Sequence, residues 1–161
     1  MFLFQLIFFL VFLGSTAFAQ GTSISISPTP RDNSLPVEVT ADNLTVEQTT
    51  NSAVFTGNAK VVQGALVLSA NSIMVRYNNE QSAIDLVEAT TNVIFSNGAE
   101  MAEARRGIYR VASGRIDLTG DVLLVQGSNA ISGDALTLDL NTSTGAMTGN
   151  VKSVFIPKEN Q

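Results

Sequence analysis

An all-β fold, a sandwich, jelly roll or slightly open antiparallel roll of about a dozen or more short strands, is what this sequence predicts. Three observations predict it. The phrase Thr56-Gly57-Asn58-Ala59-Lys60-Val61-Val62-Gln63-Gly64 returns as Thr119-Gly120-Asp121-Val122-Leu123-Leu124-Val125-Gln126-Gly127. Such self-similarity points to one repeated β unit. The apolar residues recur with a period of two. Turn-forming residues interrupt them about every 8–12 residues, the spacing of short strands joined by tight connections.

The elements follow in order. Phe2 to Phe18 is apolar and uncharged, and Ala17-Phe18-Ala19 has the form of a signal-peptidase site. We read residues 1–19 as a signal peptide. The rival, a retained membrane anchor, is disfavoured by the polar break at Gly14-Ser15-Thr16. Residues 20–35 are rich in Ser, Thr, Pro and Gly and read as a disordered linker, because Pro28, Pro30 and Pro36 oppose regular structure. Residues 36–156 are the periodic domain, and 157–161 a polar tail.

Within the domain, Val37, Val39 and Ala41 alternate with Glu38 and Thr40. Leu66, Leu68 and Ala70 alternate with Val67 and Ser69, Ile73, Val75 and Tyr77 with Met74 and Arg76, and Leu136, Leu138 and Leu140 with Thr137 and Asp139. One apolar and one wet face per sheet is the antiparallel signature. Fainter echoes, Ile84-Asp85-Leu86 and Met147-Thr148-Gly149-Asn150, place anchors at Phe55, Leu86, Leu118 and Met147, roughly 30 residues apart. Each Thr-Gly-[Asn/Asp] unit reads as strand, Gly-centred turn and strand, with the Gly supplying a positive φ for a hairpin or bulge. Ala99 to Arg106 has helix-favouring composition. It falls where the repeat requires a strand, so it reads as strand or irregular.

Composition excludes several functions. The chain has no Cys and no His, nine Lys/Arg against fourteen Asp/Glu, and a net charge of −5. No disulfide framework, lipoprotein acyl anchor, thiolate metal site or His-based triad is available. No metal or cofactor is expected. The charges are interleaved, so nucleic acid is not an expected partner. Asp117, Asp121, Asp134 and Asp139 raise the thought of a glycosidase pair, but they mostly fall on the polar, solvated phase of the strands. An enzyme is not expected. The apolar stripe has two readings, an ordinary packed core or a lipid-lined interior, and composition does not choose between them.

Four segments carry a resemblance: Pro36-Val37-Glu38-Val39-Thr40-Ala41-Asp42, Val54 through Asn71 with its Thr-Gly-Asn turn, Ala104 through Tyr109, and Leu118-Thr119-Gly120-Asp121-Val122 followed by Asn129 through Leu136. In this order and spacing they resemble the OstA-like family over about residues 36 to 156. The resemblance implies a slightly splayed β-jelly roll in the Gram-negative periplasm. It would hold the lipid A acyl chains of lipopolysaccharide between two sheets and bridge the inner and outer membranes. It places lipid-binding positions at Val37, Val39, Ile94, Tyr109 and Val111, to which the apolar phase adds Phe55, Leu66, Leu68, Leu118 and Leu136. The partners implied are lipopolysaccharide, further copies joined head to tail, and the homologous domains of inner-membrane LptC and outer-membrane LptD. Alternatives are the membrane-anchored LptC itself, a non-catalytic structural β-repeat domain of a secreted surface protein and, more remotely, a sugar-acting enzyme.

Overall fold

A computed structural model of the protein describes residues 22–27 and 35–155. The signal peptide assigned to 1–19, most of the 20–35 linker and the 157–161 tail lie outside the described residues. The chain forms β1 (Thr22–Ser25), β2 (Glu38–Thr40), β3 (Asn43–Glu47), β4 (Ser52–Gln63), β5 (Leu66–Tyr77), β6 (Ile84–Ser96), β7 (Glu100–Arg110), β8 (Arg115–Gln126), β9 (Asn129–Asp139), β10 (Thr144–Thr148) and β11 (Lys152–Val154). A single 3-10 turn spans Gln48–Thr50. All strand pairings are antiparallel, in the order β1-β10-β9-β8-β7-β6-β5-β4-β2, with β3 also on β4 and β11 also on β9. This is the predicted all-β jelly roll, and all of the helix-like segment 99–106 except Ala99 lies in strand β7.

Each long strand breaks register near its middle, at Thr56/Ala59, Ser69/Ser72, Thr90/Val93, Glu103/Arg106 and Thr119/Val122. A bulge bends a strand, and bulges at matching heights fold the whole sheet along one line. The two halves then face each other as layers. Layer I holds β2, β11 and the Val61, Leu68, Phe95, Ala102, Leu124 and Ile131 side of the long strands. Layer II holds β3, β10, β1 and the Ile73, Val87, Ile116, Leu118, Leu136 and Leu138 side. Their inward residues form one buried cluster.

The repeated Thr-Gly-[Asn/Asp] phrase makes these corners. Gly57-Asn58 have φ of 79° and 47°, Gly120-Asp121 86° and 49°, and Gly149-Asn150 73° and 49°. Two successive left-handed residues advance the chain without reversing it, so inward positions step by four, from Phe55 to Ala59 and from Leu118 to Val122. The hairpin alternative for this motif is therefore corrected. It is a bulge inside one 12-residue strand, twice over. A fourth copy is Thr90-Thr91-Asn92, with φ of 65° and 54° at Thr91 and Asn92. The residue matching Phe55 in that copy is Ala89, not Leu86. Beside each corner a polar side chain from a neighbouring segment meets it. Asn58 Nδ2 donates to Asp42 Oδ2 at 2.9 Å, Asn92 Nδ2 to Asn71 Oδ1 at 3.2 Å and Asn150 Nδ2 to Asp134 Oδ2 at 2.9 Å, while Arg105 pairs with Asp121.

The linker assignment is corrected in part. Residues 22–25 form β1 on the edge of β10, and Ile24 and Ile26 are only 5% and 6% exposed. The motif Ser23-Ile24-Ser25-Ile26-Ser27 is a strict alternation whose apolar phase is buried, and burial of two Ile side chains outweighs the nearby prolines.

Candidate functional site

The two ends of the roll differ. At the β2–β3 end the interior is open. Leu44 pairs with Phe55 and Val46 with Ala53, so both share the inward face of β4. Leu44 is nevertheless 56% exposed and Val46 66% exposed, because among the described residues no strand of layer I covers them. With Ala53, Phe55 and Tyr77 they line a groove of about 380 Å³ whose rim is polar, at Gln48, Asn51 and Gln81. Gln81 Nε2 donates to Asn51 Oδ1 at 2.8 Å, tying that rim together. Further in, between the layers, lies a cavity of about 30 Å³ walled by Val37, Val61, Leu66 and Leu68 on one side and Ile84, Val87, Tyr109 and Val111 on the other. Its lip is the segment before β2, where Gln63 Nε2 donates to the Leu35 carbonyl at 3.3 Å.

The opposite end is shut by β1. Glu100 sits buried at the start of β7, where its Oε1 accepts the Ser27 amide at 2.7 Å and its Oε2 accepts Asn97 Nδ2 at 2.5 Å. Gln126 Nε2 donates to the Ser25 carbonyl at 3.0 Å. Burial pushes the Glu100 carboxyl up. The hydrogen bonds from Ser27, Asn97 and Gln126 outweigh that, and its pKa lies below the usual carboxylate value. This latch joins layer I to β1 and leaves Ile24 and Ile26 plugging the end.

The carboxylates considered for hydrolysis are all engaged in holding the outer surface. Asp117 accepts from Arg110, from Arg115 at 3.0 Å and from Thr137 at 2.9 Å. Burial raises its pKa, but these bonds overcome it and hold the group low. Asp121 and Asp134 brace corners, and Asp139 accepts the Asn141 and Thr142 amides at 2.8 and 3.1 Å. Among the described residues no group of His, Cys, Asp and Glu is arranged to hold a metal.

Comparison with known proteins gives these features a context. Residues 38–144 match the family described as LptA/(LptD N-terminal domain) LPS transport protein. The chain belongs to that family. The chain is 32% identical to an uncharacterized protein of Rhizobium meliloti, covering 81% of this chain and 74% of that one. It is 26% identical to the lipopolysaccharide export system protein LptA of Haemophilus influenzae, covering 94% and 93%. In fold it is similar to LptH of Pseudomonas aeruginosa, described as the LptA-homologous periplasmic component of the lipopolysaccharide transport device. The TM-score is 0.70 at 19% identity, covering 80% of this chain and all of that one.

For a member of the LPS transport family, the placement of the ten expected positions is uneven. Val37, Leu66, Leu68, Tyr109 and Val111 converge on the inner cavity. Val39 stands opposite Val61 at the edge of the core, and Phe55 lines the open groove. Ile94 is corrected. Inward positions on its half of β6 are Val93 and Phe95, and Ile94 is 39% exposed on the outer surface beside Glu103 and Arg105. Leu118 and Leu136 face each other across β8 and β9 as fully buried core, away from both groove and cavity. Leu44, Val46 and Tyr77 are the groove residues that the sequence reading left out. Their signal was present in the Leu44-Thr45-Val46 alternation.

Proposed function

We propose that this protein shields the acyl chains of lipopolysaccharide in its apolar interior, in the periplasm, while the sugar and phosphates stay in water. One observation carries the reading. The inward face of β3 is apolar yet left uncovered by the described residues, and a second apolar space lies between the layers. A groove with room for roughly a dozen water-sized groups accepts part of one acyl chain, and parting of the layers along the cavity extends it. Each buried CH₂ contributes about 0.8 kcal/mol, so a chain of about a dozen carbons carries roughly 10 kcal/mol before ordering costs. Such a ligand moves by sliding along continuous apolar surface. Copies or homologous domains joined end to end, including those of LptC and LptD, supply that continuity. At one end β2 and β3, and at the other β11, each pair on one side only, and strand addition between unlike edges gives a head-to-tail contact that does not close.

Val46→Asp tests the groove, because the side chain is exposed and its loss leaves the core intact. The expected result is unchanged thermal unfolding with lipopolysaccharide binding weakened at least tenfold. Val39→Asp and Val111→Asp extend the test inward. Folded variants that bind as the wild type does would refute the reading.

A further inference from the structure

Tyr109 carries a polar atom with nothing to bond. Its side chain helps wall the inner cavity with Val37, Leu66, Leu68, Val87 and Phe95. Its hydroxyl is sealed from solvent and has no hydrogen-bond partner among the described residues. Buried side-chain polar atoms are nearly always paired, because a hydroxyl that leaves water without replacing its hydrogen bonds is destabilising. For folding alone, Phe in the same place would serve better. The other polar lining residue, Gln63, is turned to the Leu35 carbonyl at the lip. The tyrosine is thus a lone hydrogen-bonding group in an oily wall, close to the mouth and out of reach of water.

We propose that Tyr109 reads the chemistry of the acyl chain. Its hydroxyl hydrogen-bonds to a β-hydroxyl carried on the chain near the headgroup when the layers part to admit it. The inference rests on the acyl-chain reading above and adds a preference to it. Hydrophobic burial alone treats chains of equal length alike, whereas a hydroxyl in a dry site discriminates against the chain that leaves it unpaired.

The test compares two probes on the full mature chain: an N-acyl glucosamine with a saturated chain and its β-hydroxyacyl analogue of equal length. The wild type is expected to prefer the analogue by roughly 2- to 12-fold, the range of a single net hydrogen bond. Tyr109→Phe is expected to abolish the preference while keeping affinity for the saturated probe. Its unliganded melting temperature should be unchanged or higher, since no bond within the protein is lost. Equal affinities in the wild type, or an equal loss for both probes in the variant, would overturn the proposal. So would a variant that melts several degrees lower, since that reveals a partner inside the protein. A wild type that binds neither probe nor lipopolysaccharide would instead overturn the acyl-chain reading and this inference with it.

Discussion

At Thr91 the chain places a β-branched residue at φ 65°, where three sister corners use glycine. Left-handed geometry costs an L-residue roughly 1–2 kcal/mol, and glycine adds back about 0.5–1 kcal/mol of unfolded-state entropy. Thr91→Gly is therefore expected to stabilise the protein by about 0.5–1 kcal/mol, read from chemical denaturation. Glu100 offers a pH test. Its folded pKa is depressed, so the latch contributes fully above the ordinary carboxylate range and is lost as pH falls through the folded value. Glu100→Gln should melt lower than the wild type at neutral pH, and the gap should vanish in acid. A gap independent of pH would show that the charge does not matter. The corner motif was visible as a repeat. The sequence could not say that Gly57 faces Asp42 or that Gly149 faces Asp134, because those partners lie 15 residues away in the chain.

At the scale of elements, β1 and β3 behave oppositely for one reason, cover. Both are short amphipathic edge strands. Beneath β1 lies the rest of the core, and Ile24 is buried. Beneath β3 none of the described residues packs as a second layer, and all five of its residues are exposed. Ile24→Ala should cost about 2–5 kcal/mol, as truncations in packed cores do. Hydrogen exchange should find β3 among the least protected strands and β7–β8 among the most. If Ile24→Ala leaves the melting temperature unchanged, β1 is not part of the folded core. The strand character of Leu66–Tyr77 was plain from alternation. That of Thr22–Ser25 was hidden by prolines, which stop structure locally but leave a four-residue strand free to dock.

For the whole molecule, the fold line of matched bulges turns one sheet into two layers, closed at the β1 end and open at β2–β3. This polarity fits a molecule that adds unlike edge to unlike edge. The C-terminal edge is more elaborate than a single last strand, since β11 continues layer I while β1 covers β10 in layer II. The proposed end-to-end assembly would set β2 of one copy on the open side of β11 of the next. Removing residues 151–161 should reduce head-to-tail association, measured as mass against concentration, with the monomer still folded. Self-association that survives the deletion unchanged would exclude this edge. A packed interior with an open rim also accounts for Leu118 and Leu136 as structural residues.

Strand-forming pattern, antiparallel class, the corner repeat and the family resemblance are local or periodic properties, and the chain alone supplied them. Which apolar residues stay wet is different. Leu44, Val46, Leu118 and Leu136 share one alternation and one chemistry. Only the folding of layer II over layer I decides that two are sealed and two are left facing water. Burial depends on what arrives from distant strands, and no window of sequence contains that.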